Sequence, residues 1–328
     1  MQLLTILVPA FNEEKNLPVL KSRLDPVIEE IRNYSVDTEV ILLDNCSTDG
    51  TSAYGKKVCG ESKEWKYVRY SRNFGYHGSL ACGFDLAQGD ALIVLASDLQ
   101  EPPELIPKMV QLWQQGYDVA FGILNIRNDD SIIKTIGAKI FYPIFSLMSD
   151  TNFPRYATDF RIVSRRVIDS VKEMREVDRY LRGLVHWSGF RQISFTYDRE
   201  KRGQGESAGI SYSTGWAINA IVCFSKKPLR AMAIFGFLIT MISVVLSIYF
   251  LIIRFFPPDF MPIPPTGTTA LAIMILFMIG INSLFLGIIG EYVGRIYSQT
   301  KMRPLYIIDE AINIKPSTLI GSGRSAPG

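Results

Sequence analysis

Two charge-free apolar runs decide what this chain can fold into. Ala231 to Ile253 is 23 residues without a charged side chain, and a second such run extends from about Thr269 to Ile289. At a rise of about 1.5 Å per residue, each is long enough to cross the roughly 30 Å hydrocarbon core of a bilayer. A buried helix of a soluble core accounts poorly for two such runs in succession. Lys226, Lys227 and Arg230 precede the first run, and Arg295, Lys301 and Arg303 follow the second. The connection Pro257–Gly267 carries only Asp259, with Arg254 at its edge. The positive-inside rule therefore places both flanking parts in the cytoplasm and predicts a multi-pass protein.

Composition follows from this arrangement. Hydrophobic residues make up 48% of the 328 residues and mean hydropathy is +0.14, with the apolar excess lying after Lys227. A net charge of +3 without a long basic run gives no reason to expect a nucleic-acid partner. Cys46, Cys59, Cys82 and Cys223 show no CxxC spacing and read as reduced thiols and small core residues. With only His77 and His186, a His-rich metal site is excluded, and both histidines read as structural. The first strand begins at Leu3, so no cleavable signal peptide is expected ahead of it.

The first 125 or so residues alternate apolar strands with helical patterns. Strands are predicted at Leu3–Val8, Glu39–Leu43, Lys66–Tyr70, Ala91–Leu95 and Asp118–Ile123, with helices over Glu13–Asn33 and from near Pro103. Continuous apolar strands separated by helices predict an α/β fold, a mainly parallel sheet with helices on both faces. Ligands of such sheets bind beyond the carboxyl ends of the strands. That rule points at Pro9–Glu14, Asp44–Asp49, Ser71–His77 and Ser97–Pro103, all dense in polar residues. One such loop is ordinary; four together read as a site. Asp98 follows a buried strand, and the Gln100 amide lies two residues on, a pair of hard oxygen donors of the kind Mg²⁺ or Mn²⁺ prefers. Two segments have an apolar face with basic flanks. Ile132–Met148 suits a membrane interface and a helix packed on the sheet equally, whereas Tyr212–Phe224 reads as interfacial.

Four segments taken together resemble the successive signatures of the family-2 inverting glycosyltransferases. They are Val8–Glu14, Asp44–Thr51, Arg72-Asn73-Phe74-Gly75 and Asp98-Leu99-Gln100-Glu101-Pro102-Pro103. The resemblance is closest to the polyprenyl-phosphate branch, which includes dolichol-phosphate mannosyltransferases and bactoprenol glucosyltransferases, and it covers the chain to about Pro304. It implies a GT-A, Rossmann-like catalytic domain over 1–210, an interfacial helix over 211–230, two membrane helices within 231–292 and a cytoplasmic tail over 293–328. It also implies an enzyme of the bacterial inner membrane that moves a hexose with inversion, from UDP-glucose to undecaprenyl phosphate. Mannose from GDP-mannose onto a dolichol or polyprenyl phosphate is the alternative. By the same resemblance Pro9, Glu13, Asp44, Asn73, Gly75 and Arg127 bind the nucleotide-sugar. Asp98 and Gln100 hold the metal and diphosphate, and Asp98 and Asp159 are candidate catalytic residues. Arg161, Lys201, Arg202 and Ser207 meet phosphates and acceptor.

Departures from the family pattern are equally specific. Ala96 stands where the family often has the first Asp of Asp-x-Asp, Asn45 replaces a frequent second Asp, and Tyr76 and Ala208 stand where lysines are common. A phosphate monoester acceptor has a second pKa of about 6, so transfer onto it needs alignment and charge stabilisation more than a base. Asp159 is therefore expected to orient the acceptor or sugar, its plainer role being a salt bridge to Arg161 or Arg165. A membrane scaffold that binds nucleotides without chemistry is the reading from another class. A processive polysaccharide synthase is disfavoured, since no Gln-x-x-Arg-Trp segment is present. Two lone spans per chain suit packing with neighbouring copies, so a homo-oligomer is expected. The Gly- and Ser-rich tail after Pro316 reads as disordered.

Overall fold

The computed structural model describes residues 1–125, 157–200 except 175, 177 and 178, scattered positions between 229 and 248, and 267–314. It divides into two compact units, one of residues 1–146, 151–217 and 303–328, the other of 147–150 and 218–302.

The first unit is built on an eight-stranded sheet of order β7-β5-β6-β4-β1-β2-β3-β8. Its strands are β1 (Gln2–Ala10), β2 (Val36–Asp44), β3 (Trp65–Tyr70), β4 (Ala91–Val94), β5 (Val119–Leu124), β6 (Ala157–Ser164), β7 (Gln192–Tyr197) and β8 (Ile308–Ile312). The central pairs β4-β1, β1-β2 and β2-β3 are parallel. Leu4, Ile6, Leu7, Val8, Ile41, Leu42 and Leu43 are all fully buried, as strands covered on both faces require. The sheet is mixed, however: β6 runs antiparallel to β4 and β5, and β8 antiparallel to β3.

Helices cover both faces. Helix α1 (Leu17–Arg32) buries Leu17, Leu20, Leu24, Val27, Ile28 and Ile31, one apolar stripe at helical spacing. It starts four residues later than the sequence pattern predicts, because Glu13 and Asn16 form a turn in which the Glu13 carbonyl accepts from the Asn16 and Leu17 amides, each at 3.0 Å. Helix α2 (Thr51–Glu61) shares this face: a Cβ on Gly55 would stand 2.6 Å from the Tyr67 ring. Helix α4 (Ile106–Gln114), entered through a short 3₁₀ turn at Pro103–Leu105, packs beside α1. On the opposite face α3 (Gly75–Leu86) approaches so closely that a Cβ on Gly83 would meet Leu7 at 2.5 Å. Helices α5 (Arg165–Glu173) and α6 (Leu181–Trp187) continue that layer.

The segment after residue 293, expected to be a plain tail, supplies β8 to the sheet of the first unit. Arg69 pairs with Glu310 across the β3-β8 ladder. Tyr306 is buried, donates its hydroxyl to Asp85 Oδ2 at 2.9 Å and lies 6.2 Å from the Tyr70 ring. Asn313 Nδ2 donates to the carbonyls of Cys59 and Trp65, both at 2.9 Å.

In the second unit, α7 (Thr268–Thr300) is a single 33-residue helix that includes residues 269–289, where the second span is expected. Among the described residues, Met278–Thr300 is the one stretch long and apolar enough to cross a membrane, with mean hydropathy 1.2 and none of it buried. Leu271, Met274, Leu286 and Ile296 are each more than half exposed, so this is not the core helix of a soluble domain. Glu291 and Arg295 pair at 3.0 Å near its end. Of the expected first span, residues 232–239 are helical, and most of the remainder lies outside the described residues. The segments Ile132–Met148 and Tyr212–Phe224, and the tail after Pro316, also lie outside them.

Replacing Tyr306 by Ala should cost the first unit about 3 kcal/mol, since a packed ring and a hydroxyl partner go together. A lower melting temperature and faster proteolysis within residues 1–125 are expected; a melting temperature equal to wild type would show that β8 is only appended.

Candidate active site

The loops that leave the carboxyl ends of β1 to β4 are laced to one another. Asn12, held at φ +57°, donates its amide to Ser47 Oγ at 3.0 Å and accepts the Thr48 amide at 2.8 Å. The Glu13 amide donates to Thr51 Oγ1 at 2.9 Å, and the Glu14 carboxylate accepts from the Gly50 amide at 3.0 Å. Ser97 Oγ reaches across to the Pro9 carbonyl at 2.8 Å. These contacts bring Pro9, Glu13, Asp44 and the Asp98 loop to one edge of the sheet.

Asp44, the last residue of β2, has no exposed surface. Its Oδ1 accepts the Ser47 amide at 2.8 Å, and its Oδ2 accepts Tyr67 Oη at 2.6 Å and Arg69 Nη1 at 3.0 Å. Arg69 Nη2 also donates to the Ser47 carbonyl at 3.0 Å. Burial, then the neighbouring carboxylate, pushes the Tyr67 hydroxyl well above its usual range, so it stays a donor. Neither Tyr67 nor Arg69 was read as a site residue. The signal was present: they lie two apart on a strand, hence on one face, as polar tips in a buried run. An open groove of about 690 Å³ runs beside this pair, lined by Ser47, Thr48, Asp49, Lys56, Arg69 and Glu310. Lys56 and Glu310 pair across it at 2.6 Å, so β8 supplies one wall.

Asn45 shows what its amide does that an aspartate could not. Nδ2 donates to Asn73 Oδ1 at 3.0 Å while Oδ1 accepts the Phe74 amide at 2.9 Å. Asn73 Oδ1 accepts the Gly75 amide as well, at 2.8 Å, and Gly75 opens α3 at φ +78°, where glycine alone is unstrained. Asn73 and Gly75 are thus held by Asn45 and adjoin the other loops.

A second cluster forms around β6. Asp159 is gripped by Arg182 from α6: Nε donates to Oδ1 at 3.1 Å and Nη2 to Oδ2 at 2.6 Å. Arg161 Nη2 lies 3.6 Å from the same carboxylate, and Arg165 pairs instead with Asp169. Burial works to raise the Asp159 pKa, but Arg182 and Arg161 outweigh it and hold the carboxyl well below the usual carboxylate range. Arg161 is itself buried, and its Nε finds no hydrogen-bond partner among the described residues. Glu101 is the opposite case: burial pushes it up to about 8, helped by the charges of Asp159 and Asp98 and opposed by the Ala96 amide it accepts at 3.1 Å. Asp98 Oδ1 accepts the Gln100 amide at 3.1 Å across Leu99, which sits at φ +63°. Both Asp98 and Gln100 are half-exposed. The Gln100 carbonyl in turn accepts the Glu200 amide at 3.0 Å.

His186 binds Gln192 through Nδ1 at 2.9 Å, and His77 packs between Tyr76 and Tyr180 at 5.7 and 5.9 Å. Burial pushes the Cys59 thiol up to about 12 and raises Cys82, which removes both as nucleophiles. Arg127, Lys201, Arg202 and Ser207 lie outside the described residues.

With this geometry in place, the comparison with known proteins is decisive. The model of glycosyl transferase family 2 matches residues 5–172, from β1 into α5. The chain belongs to glycosyl transferase family 2. A glycosyltransferase of Synechocystis sp. is 35% identical over 309 residues, covering 94% of this chain and 95% of that one. Bactoprenol glucosyl transferase of Shigella phage SfX is 31% identical over 310 residues, covering 93% and 98%. A prophage bactoprenol glucosyl transferase homolog of Escherichia coli K12 is 30% identical over the same shares. Crystal structures of glucosyl-3-phosphoglycerate synthase from Mycobacterium tuberculosis align at a TM-score of 0.45 and 16% identity, over 67% of this chain and 78% of that one.

This glycosyltransferase carries Arg182 outside every segment that the sequence marks as a motif, and nothing local announces it. Its carboxylate partner is 23 residues away, on another element. Asn45→Asp removes the donor to Asn73 and sets a carboxylate against its oxygen, a loss of about 1–3 kcal/mol. Hydrogen exchange at the Phe74 and Gly75 amides should speed up at least tenfold, whereas unchanged protection would mean that the loop is held by other contacts.

Proposed function

We propose that the enzyme moves glucose from UDP-glucose to undecaprenyl phosphate with inversion of configuration. The observation that carries this reading is the similarity to bactoprenol glucosyl transferases over 93% of this chain and 98% of theirs, apolar segment included. A lipid phosphate is an acceptor that a catalytic sheet joined to an exposed apolar helix can use where it resides. The donor enters beyond the carboxyl ends of β1 to β3, with Pro9, Glu13 and Asp44 on the nucleotide side and Asn73 and Gly75 bordering it. The catalytic unit works at the cytoplasmic face of a bacterial inner membrane, on two spans, and neighbouring copies cover the remaining apolar helix faces.

A divalent cation, Mg²⁺ or Mn²⁺, fits the donor loop in part. Among the described residues no group of three or more His, Cys, Asp or Glu side chains could hold one. Asp98 and Gln100 nevertheless offer two hard oxygens, and diphosphate and water would complete the shell. Such an ion would neutralise the charge that builds on the departing diphosphate. Asp98 orients that group, with one oxygen already fixed by the Gln100 amide. Lys201, Arg202, Ser207 and Arg127 are assigned to the phosphates of donor and acceptor by the family resemblance alone. The acceptor phosphate supplies its own nucleophilic oxygen, ionised above a pKa of about 6. Asp159 is a poor proton acceptor, because the Arg182 and Arg161 charges hold it well below the usual carboxylate range; it acts by orientation. Donor and acceptor held in line give the inverted product.

Asp98→Ala should reduce transfer of labelled glucose to undecaprenyl phosphate by at least 100-fold, with membrane insertion intact, and chelation of divalent cations should silence the wild type until Mg²⁺ or Mn²⁺ is returned. In a panel of UDP- and GDP-sugars, UDP-glucose should give the fastest formation of lipid-linked sugar. GDP-mannose in that place would assign the mannosyl reaction, and donor binding without product would leave a non-catalytic scaffold.

A further inference from the structure

Arg182 uses its whole guanidinium. Nε and Nη2 form a two-pronged contact with Asp159, at 3.1 and 2.6 Å, while Nη1 donates to the Ala157 carbonyl at 3.0 Å. The residue is fixed from behind as well, since its own carbonyl accepts Arg161 Nη1 at 3.3 Å. Arg161 Nη2 donates to the Thr158 carbonyl at 2.6 Å, which ties the start of β6 to the same pair. Around them stand Tyr76 and His77 of α3, Tyr180 ahead of α6, Glu101 after β4 and Tyr197 at the end of β7, whose hydroxyl donates to Thr158 Oγ1 at 3.1 Å.

This is more contact than an exposed ion pair needs for stability. The Asp159 side chain is 18% exposed and that of Arg182 31%. A planar fork matched to a carboxylate fixes direction as well as distance, which a lysine ammonium cannot do. A carboxylate gripped by a fork at both oxygens is fixed in direction, and the adjoining guanidinium charge makes it a weak base.

We infer that Arg182 is a positioning residue of the transfer reaction: its fork sets Asp159 as an oriented anion and withdraws it from proton transfer. The inference rests on the reading above that Asp159 orients the acceptor or sugar. The two-pronged grip also explains why the chain spends two arginines, Arg161 and Arg182, on one carboxylate. Arg182 holds it, and Arg161 holds the backbone on either side of the contact.

The test compares wild type, Arg182→Lys and Arg182→Ala as full-length protein in lipid nanodiscs with UDP-glucose and undecaprenyl phosphate, read by release of nucleoside diphosphate. Lysine keeps the charge and loses the fork. Its kcat should fall on the order of 100-fold, the loss expected of a misplaced group, while the donor KM stays at the wild-type value. Guanidinium ion should restore part of the activity of Arg182→Ala, and ammonium ion should not. Wild-type kcat in Arg182→Lys overturns the inference, as does a loss that only tracks the fraction of folded protein in thermal unfolding, or a folded Arg182→Ala that guanidinium leaves unchanged. Wild-type release of nucleoside diphosphate without lipid-linked glucose would count against the acceptor proposed above, while the comparison of rates would still decide the role of Arg182.

Discussion

A carboxylate buried at the end of a strand must be paired and hydrogen-bonded, because stripping it of water costs several kcal/mol. Asp44 is such a group, and the way it is satisfied organises the loops beyond the carboxyl ends of β1 to β4. Three donors converge on it: the Ser47 amide, Tyr67 Oη and Arg69 Nη1. Meeting them fixes the loop after β2, because Arg69 also holds the Ser47 carbonyl, and Ser47 Oγ takes the Asn12 amide. The loop after β1 is thereby set, then the one after β3 through Asn45, and the β4 loop through Ser97 and Pro9. Arg69 in turn faces Glu310 across the ladder, so the strand that follows the apolar helix α7 belongs to the same construction.

The carboxylates of the site fall into distinct states. Asp44 and Asp159 are each paired with arginine. Glu101 is buried, and among the described residues the charge of Arg199 does not offset its desolvation, so it is pushed up to about 8. Asp98 is half-exposed, with one oxygen steadied by its own loop. A site made this way is strong in fixed orientation and weak in available bases. That suits an acceptor whose nucleophile is already an anion, where the barrier is lowered by alignment and by neutralising the departing diphosphate.

The sequence displayed the central strands and their four loops plainly, because strands covered on both faces read as unbroken apolar runs. It displayed the outer strands poorly. In β6 the polar Asp159 and Arg161 alternate with Phe160 and Ile162, and Ile-Asp-Glu-Ala-Ile in β8 looks like solvated chain until Tyr306 and Asn313 anchor it. Asn45 looked like a lost acid and is instead the donor that an acid lacks. The salt bridge foreseen for Asp159 exists, but the main partner is Arg182 on a seven-residue helix that no local pattern ties to β6. Motifs record residues that meet the substrate through nearby chain; partners brought in by tertiary packing leave no such trace.

The account turns on a nucleophile that needs no base from the protein. The most direct measurement is the pH dependence of single-turnover transfer with undecaprenyl phosphate and with an acceptor analogue whose phosphoryl group is about one pKa unit more acidic. The acid limb of the rate should move down by about one pH unit with the analogue, following the acceptor's own ionisation. An acid limb that stays at the same pH for both acceptors would assign the titration to a group of the enzyme and contradict the account.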